Sequence, residues 1–502
     1  MENVLKLVAK RQEDLDRHPL FEWMNSAETP VPDPLLIMPA MATFSMGFRD
    51  VNKWVFRYPE AANELERGIN IHSFEDQTHS RLFLEDWKLL GLNERLGWKA
   101  SDTLWWLFLS EANEVARGHG VYFLSMAIAD TKDPLLRFAQ SEMMEALGSV
   151  FFKHASKIAI GFTERTGIEL PYMGPFHLAL ESGHMDCEDL FVEQKLDDER
   201  LAQALKLADT IYEIFSDQLD MWMIYAEKYI SPGIAPRPDL RPTINRAAAG
   251  LPGLRPGTGG VVHASQEPLQ RLLAERRKRS EAHPFYSWLE NRGDRITALQ
   301  ALRRFIPMWA MDVMGYRDLN RYAIRYAEPS SDLHRTVNAW VDDLSTHNTL
   351  FLDDWKQLGL DEILGWNSSD TLEFCYLDPQ TDVHRRNIVR FTELAAGNED
   401  PLSRLWLMHA LETSGEPFFR HTKALAGEVE ANTDLRLDYL GDRHELAHQP
   451  SVSPLALEFK DRPMDAAGVE IAAEMIETVF DAADEQLEIS LDVALSNKFG
   501  IR

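Results

Sequence analysis

Between residues 201 and 222 a series of apolar residues steps alternately by four and three: Leu201, Leu205, Ala208, Tyr212, Phe215, Leu219 and Trp222. Mostly polar residues fill the gaps, so the segment predicts an amphipathic helix of about six turns with one face on a core. The alternation of apolar β-branched and polar residues that marks half-buried strands is nearly absent. Short Gly, Pro and Asp clusters punctuate the helical stretches. The pattern predicts an all-α fold.

The pattern is also written twice. HPLFEW at 18–23 returns as HPFYSW at 283–288, and GFRDVN at 47–52 as GYRDLN at 315–320. FLEDWKLLGL at 83–92 returns as FLDDWKQLGL at 351–360, followed in both places by LGW and SDTL. DPL at 133–135 returns at 400–402, and the Phe pair 151–152 at 418–419. The offset is 265 at the start, 268 through the middle and 267 later, as small insertions in a duplicated domain would produce. A repeat of this length is far too long for a solenoid unit, so each copy is a complete domain, a bundle of about seven helices.

Residues 231–260 separate the copies with six prolines and six glycines, a composition that sustains neither a helix nor a central strand. The chain therefore divides into an N-terminal domain over 1–230, a linker over 231–262 and a C-terminal domain over 263–502. The linker carries four arginines and one aspartate, so it is locally basic. It reads as a covering linker, with an arm closing over the other lobe as the sharper alternative.

Composition narrows the function. Against 80 acidic residues stand 52 Lys and Arg, a formal charge of −28. Such a surface repels phosphate backbones and anionic lipid heads, so nucleic-acid and membrane-surface roles are disfavoured. No apolar run approaches the roughly 20 residues of a membrane span, and the first residues lack a signal-peptide core. The expectation is a cytoplasmic protein. Two cysteines, Cys187 and Cys375, provide neither a disulfide framework nor a thiolate-rich metal site.

Two clusters carry candidate chemistry. His177, Glu181 and His184 fall at i, i+4 and i+7 of a predicted helix, on one face. His72, Glu75, Asp76 and His79 occupy i, i+3, i+4 and i+7 of another. Four ionisable groups on one stripe are costly to bury without a metal to offset their desolvation. Glu145 lies among Met143, Met144, Ala146 and Leu147, and its counterpart in the second copy is Glu412. Mixed imidazole and carboxylate donors without thiolate suit iron or manganese, and a bridging Glu can hold two ions in a helical bundle; zinc is also chemically compatible.

In the order and content of these motifs the chain resembles the heme-oxygenase-like diiron oxidase and oxygenase superfamily. That family places a Glu and a His seven apart on one core helix, a bridging Glu on a second, and His-x3-Asp-x2-His on a third. The resemblance implies two tandem heme-oxygenase-like bundles forming a pseudo-two-fold dimer within one chain. It implies metal ligation by His72, Glu75 or Asp76, His79, Glu145, His177, Glu181 and His184, with turnover depending on Glu145, His177 and Glu181. Here His72 stands where the family has Glu, so Glu75 or Asp76 supplies that carboxylate, and Glu181 replaces the Asp of the triad. The implied cofactor is two iron ions in the N-terminal domain, with O2 as co-substrate. The implied reaction is oxidation of a small amino-acid-like or fatty-acid-like metabolite by N-oxygenation, desaturation or oxidative C–C cleavage, as a biosynthetic step. An external electron donor is a further implied partner, and a homodimer of whole chains is compatible with the pattern. Trp105, Trp106, Phe151 and Phe152 are candidates to line the pocket, against the plainer reading that they pack the core.

The second copy diverges at these positions. His72, Asp76, Glu181 and His184 become Trp340, Leu344, His448 and Ser451, while Asp343, His347, Glu412 and His444 remain. It reads as a degenerate, structural partner retaining donors for at most one metal. The competing readings are a haem-binding enzyme, a thiaminase-like enzyme using Cys187, and a non-catalytic metal-binding scaffold.

Overall fold

The computed structural model describes residues 2–183, 196–238, 262–293, 296–344, 347–442, 444 and 459–501, without the side chains of 180–183 and 343. Every regular element among them is helical. Glu181 has only its backbone described, and the side chain of Asp343 is likewise outside the description. His184, Cys187, His448, Ser451 and linker residues 239–261 lie outside the described residues. No described helix is long and apolar enough to cross a membrane.

Contacts divide the chain into two compact units. The first comprises residues 1–98, 105–238 and 367–377, and the second 99–104, 239–366 and 378–502. In the first unit the helices are α1 (Glu2–Leu15), α2 (Pro19–Asn25), α3 (Met38–Val51), α4 (Glu64–Asp76), α5 (His79–Leu89), α6 (Leu92–Leu96), α7 (Ala100–Phe108, its last four residues), α8 (Glu114–Ala129), α9 (Pro134–Thr166), α10 (Pro175–Gly183) and α11 (Asp198–Tyr225). The 33-residue α9 is the central post, against which α1, α2, α4, α10 and α11 pack.

The second unit repeats this order with α12 (Glu267–Glu281), α13 (Pro284–Glu290), α14 (Ala298–Phe305), α15 (Ala310–Asp318), α16 (Asp332–Leu344), α17 (His347–Gln357) and α18 (Leu360–Leu364). After α19 (Ser368–Leu377), which belongs to the first unit, follow α20 (Asp382–Ala396), α21 (Pro401–Asn432) and α22 (Ala466–Ser496). Here α21 is the central post, contacted by α12, α14, α16 and α22.

The repeated sequence motifs are largely helix-end signals. His18 and His283 each accept a backbone N–H at an N-cap, followed by Pro at the first helical position. Asp133 and Asp400 cap α9 and α21 in the same way. Gly91 and Gly97, with Gly359 and Gly365, hold the left-handed backbone on either side of α6 and α18, where a Cβ would be strained. Asn52 and Asn320 bond back to Phe48 and Tyr316 carbonyls where α3 and α15 widen into π-turns.

The stripe of α11 is rotated slightly from the sequence expectation. Ala208, Phe215, Leu219 and Trp222 are buried as the spacing requires, whereas Leu201, Leu205 and Tyr212 are only partly covered. Ala204, Leu207, Ile211 and Ile214 complete the buried face. Tyr212 instead carries the guanidinium of Arg11 over its ring, at 4.7 Å. The described start of the linker is fastened down, with Trp98 Nε1 donating to the Pro236 carbonyl at 2.9 Å.

Candidate metal centre

Two helices of the first unit bring the central donors together. The N-terminus of α4 is set by Asn63, whose side chain accepts from Glu66 N at 2.9 Å. One face of the helix then buries Gly68, Ile69, His72 and Asp76. Helix α9 presents Glu142 and Glu145, one turn apart. The ligating atoms of His72, Glu142 and Glu145 all lie within 4.8 Å of one another. His72 Nε2 is 2.9 Å from Glu145 Oε1 and 3.3 Å from Asp76 Oδ2. Asp76 extends the cluster to His79, whose Nδ1 is 3.9 Å from Asp76 Oδ1.

Burial by itself pushes the His72 imidazole down the pH scale, because the charged form is poorly solvated. Asp76 and Glu145 more than offset this and raise it well above the ordinary histidine value. The site thus concentrates carboxylate charge around a buried imidazole, an environment that favours a cation, whether proton or metal. Three oxygen and nitrogen donors around one point, with no thiolate, fit a borderline or hard metal such as iron or manganese.

His177 joins from α10. Its ring packs edge-on against His79 at 4.3 Å between centroids and against Phe152 at 4.2 Å, and stacks on Tyr172 at 4.7 Å. The turn preceding α10 is held from below by Asp86, which accepts from Tyr172 N at 3.2 Å and Met173 N at 2.7 Å. Tyr172 is also tied by its hydroxyl to Ser45 Oγ at 3.1 Å. A Cβ at Gly174 would collide with the Leu170 carbonyl, so this close turn requires glycine. Burial raises the Asp86 carboxyl to about 7, although the two backbone donors oppose the rise.

The structure brings together His72, Asp76, His79, Glu145 and His177. It corrects the single continuous stripe expected for the first cluster. Helix α4 ends at Asp76 and α5 begins at His79, because residues 77 and 78 form a tight turn. Thr78 N and Thr78 Oγ1 both donate to the Glu75 carbonyl, at 2.9 and 2.7 Å, diverting it from the regular ladder. Glu75 itself faces outward and is exposed, while Asp76 is buried beside His72. The last triad is represented here by His177, since the Glu181 side chain and His184 lie outside the described residues.

Of the four aromatic candidates, Phe152 touches the site. Phe151 packs on Trp222, and Trp106 donates to the Pro39 carbonyl amid Trp98 and Tyr225, with Trp105 beside it. Glu142 was not among the sequence candidates. Its signal is legible in retrospect: it sits one turn before Glu145 and corresponds to His409, a metal-ligating residue type, in the second copy.

The second unit keeps the framework and changes the centre. Asp354 accepts from Asp438 N at 2.6 Å and Leu440 N at 2.9 Å, as Asp86 does in the first unit, and Gly441 repeats the close turn of Gly174. His347 and His444 meet edge-on at 4.6 Å. Trp340 occupies the place of His72, and its Nε1 donates to Glu412 Oε1 at 2.7 Å. An indole N–H donates but does not ligate.

Comparison of the chain with family models and with curated proteins finds no match.

Proposed function

We propose that the first unit is a non-haem iron oxidase or oxygenase, and that the chain carries two tandem bundles of the heme-oxygenase-like kind with the metal in the first. The observation that carries this reading is the convergence of His72, Glu142 and Glu145 within 4.8 Å, buried or half-buried and flanked by Asp76, His79 and His177. His72, Glu142 and Glu145 would hold one ion, and Asp76, His79 and His177 provide further donors beside it. Bound iron would supply the activation of O2 for oxidation of a small amino-acid-like or fatty-acid-like metabolite.

The surrounding residues do the rest. Asp76 sets its carboxylate against His72 from the α4 side, with His79 beyond it. Asp86 and Tyr172 set the position and tilt of the His177 ring, as outer partners of metal ligands do. Phe152 covers that ring and keeps water from one side of the centre.

The test is anaerobic loading of the full chain with ferrous iron, followed by exposure to O2 with absorption recorded, with and without amino-acid and fatty-acid candidates. Stoichiometric iron, an optical transient and oxygen consumption that disappear in H72A and E145A support the proposal. Iron that binds but never reacts with O2 would make the unit a metal-binding scaffold, and failure to bind iron would remove the proposal altogether.

A further inference from the structure

We propose that the second unit is a binding site for an organic ammonium ion, taken up in the cavity that replaces the metal centre of the first. The cavity has a volume of about 710 Å³ and is lined from α12, α13, α15, α16, α17, α20, α21 and α22. That is the size of a small-molecule site rather than a packing defect. Its wall is aromatic, with Trp309, Tyr316, Trp340, Phe418, Phe419 and Tyr439 among the lining residues.

Two carboxylates enter this aromatic wall from different helices, and both are oriented. Glu412, on α21, accepts from Trp340 Nε1 at 2.7 Å. Asp312, on α15, is 3.0 Å from Nδ1 of the fully buried His384. Aromatic faces attract a cation through their quadrupole, and an anchored carboxylate completes the charge match. The same pair of features disfavours an anion.

Three of the basic residues around the cavity are paired with acids. Arg277 pairs with Glu416 at 2.7 Å, Arg420 with Glu281 at 2.8 Å and Lys423 with Asp442 at 2.7 Å. Arg317 also lines the cavity. His409 is 2.9 Å from Lys460 Nζ. A ligand carboxylate would have to break existing ion pairs to use the paired cations, whereas an ammonium group finds the carboxylates of Glu412 and Asp312 set in the aromatic wall.

The comparison between units explains why the occupant is organic rather than metallic. Where the first unit has the donors His72, Asp76 and Glu142, the second has Trp340, Leu344 and His409. The exchange replaces the imidazole and a carboxylate by an indole and an apolar side chain while keeping the carboxylate at the position of Glu145. The proposal stands on this cavity alone and does not depend on iron binding in the first unit.

The experiment is calorimetric titration of the full chain with octyltrimethylammonium, octylammonium, octanoate and octanol, probes of equal chain length and different head. The expected result is that one or both ammonium probes bind about tenfold or more tighter than octanol and octanoate. E412Q keeps an acceptor for Trp340 and should weaken the ammonium probes by about tenfold while leaving octanol unchanged. E145Q, at the matching position of the first unit, should leave ammonium binding intact. Preference for the quaternary over the primary ammonium assigns recognition mainly to the rings, and the reverse assigns it to the carboxylates. Should E412Q fail to fold by circular dichroism, W309A serves instead, with the same selective loss expected. Equal or tighter binding of octanoate, no ammonium binding, or loss of binding in E145Q rather than E412Q would overturn the proposal.

Discussion

Trp340 Nε1 donates to Glu412 at 2.7 Å, in the place where the first unit sets His72 Nε2 2.9 Å from Glu145. The two units thus keep one carboxylate on their central helix and give it a partner of opposite consequence. Imidazole is a metal ligand, whereas indole is a hydrogen-bond donor that cannot ligate.

The exchange should be reversible by design. W340H/L344D/H409E rebuilds in the second unit the residue types of His72, Asp76 and Glu142. After anaerobic ferrous loading and desalting, this variant should retain about one more iron per chain than the wild type, as a site with restored nitrogen and oxygen donors would. Unchanged iron by elemental analysis would show that the framework of the second unit no longer suits a metal.

Glu142 should behave as a ligand and not as a helix-surface acid. E142A is expected to lower iron affinity by at least about tenfold, as loss of even an outer partner does at metal sites. The measurement is competitive titration against a coloured chelator. A far-ultraviolet spectrum and melting temperature close to wild type would separate the effect from unfolding.

Asp86 acts on the site through the turn before α10. In D86A the backbone N–H groups of Tyr172 and Met173 lose their acceptor, which should destabilise the protein by about 2–3 kcal/mol in urea unfolding. Asparagine at this position retains one acceptor oxygen and should cost less. D86N should therefore remain folded and bind iron more weakly, because His177 is less firmly placed. Iron affinity equal to wild type in D86N would confine Asp86 to a purely structural role.

Asp354 gives stability a definite pH dependence. Burial raises its carboxyl from 3.8 to about 7, against the pull of the backbone N–H groups of residues 438–440. The folded state therefore holds this proton more tightly than the unfolded chain, and the associated stability is fully present below about 4 and lost as pH rises through about 7. Relative to D354N, the wild type should lose stability steadily over that window. Urea midpoints of both proteins at several pH values measure it, and parallel curves would contradict the assignment.

Lys460 runs in the opposite direction. Burial lowers its ammonium from 10.5 to about 8, beside His409. Between these values the unfolded chain binds more protons than the folded protein, so this group makes stability rise with pH from about 8 to about 10.5. K460M should remove that slope, and the difference between wild-type and variant unfolding midpoints is the quantity to follow.

Much of the architecture was legible in the chain itself. The all-helical class follows from period-3.6 patterning, and the helix ends at Asp133, Asp400, Gly91 and Gly359 from residues whose backbone preferences act locally. The repeat of motifs is visible because those same local signals recur at a nearly constant offset. His72, Asp76, His79, Glu145 and His177 could be nominated because donor spacing along a helix is a local property.

What needed the tertiary structure was everything set by how one helix is turned against another. Spacing could not separate Glu75 from Asp76; the hydroxyl of Thr78 and the packing of α4 on α9 put one outside and the other against His72. Glu142 reads as an ordinary helix acid until α9 is rotated to face α4. The bond from Trp340 to Glu412 spans 72 residues, and the cavity around it draws on eight helices. Local sequence specifies which residues share a face, but only the packed bundle decides which faces meet.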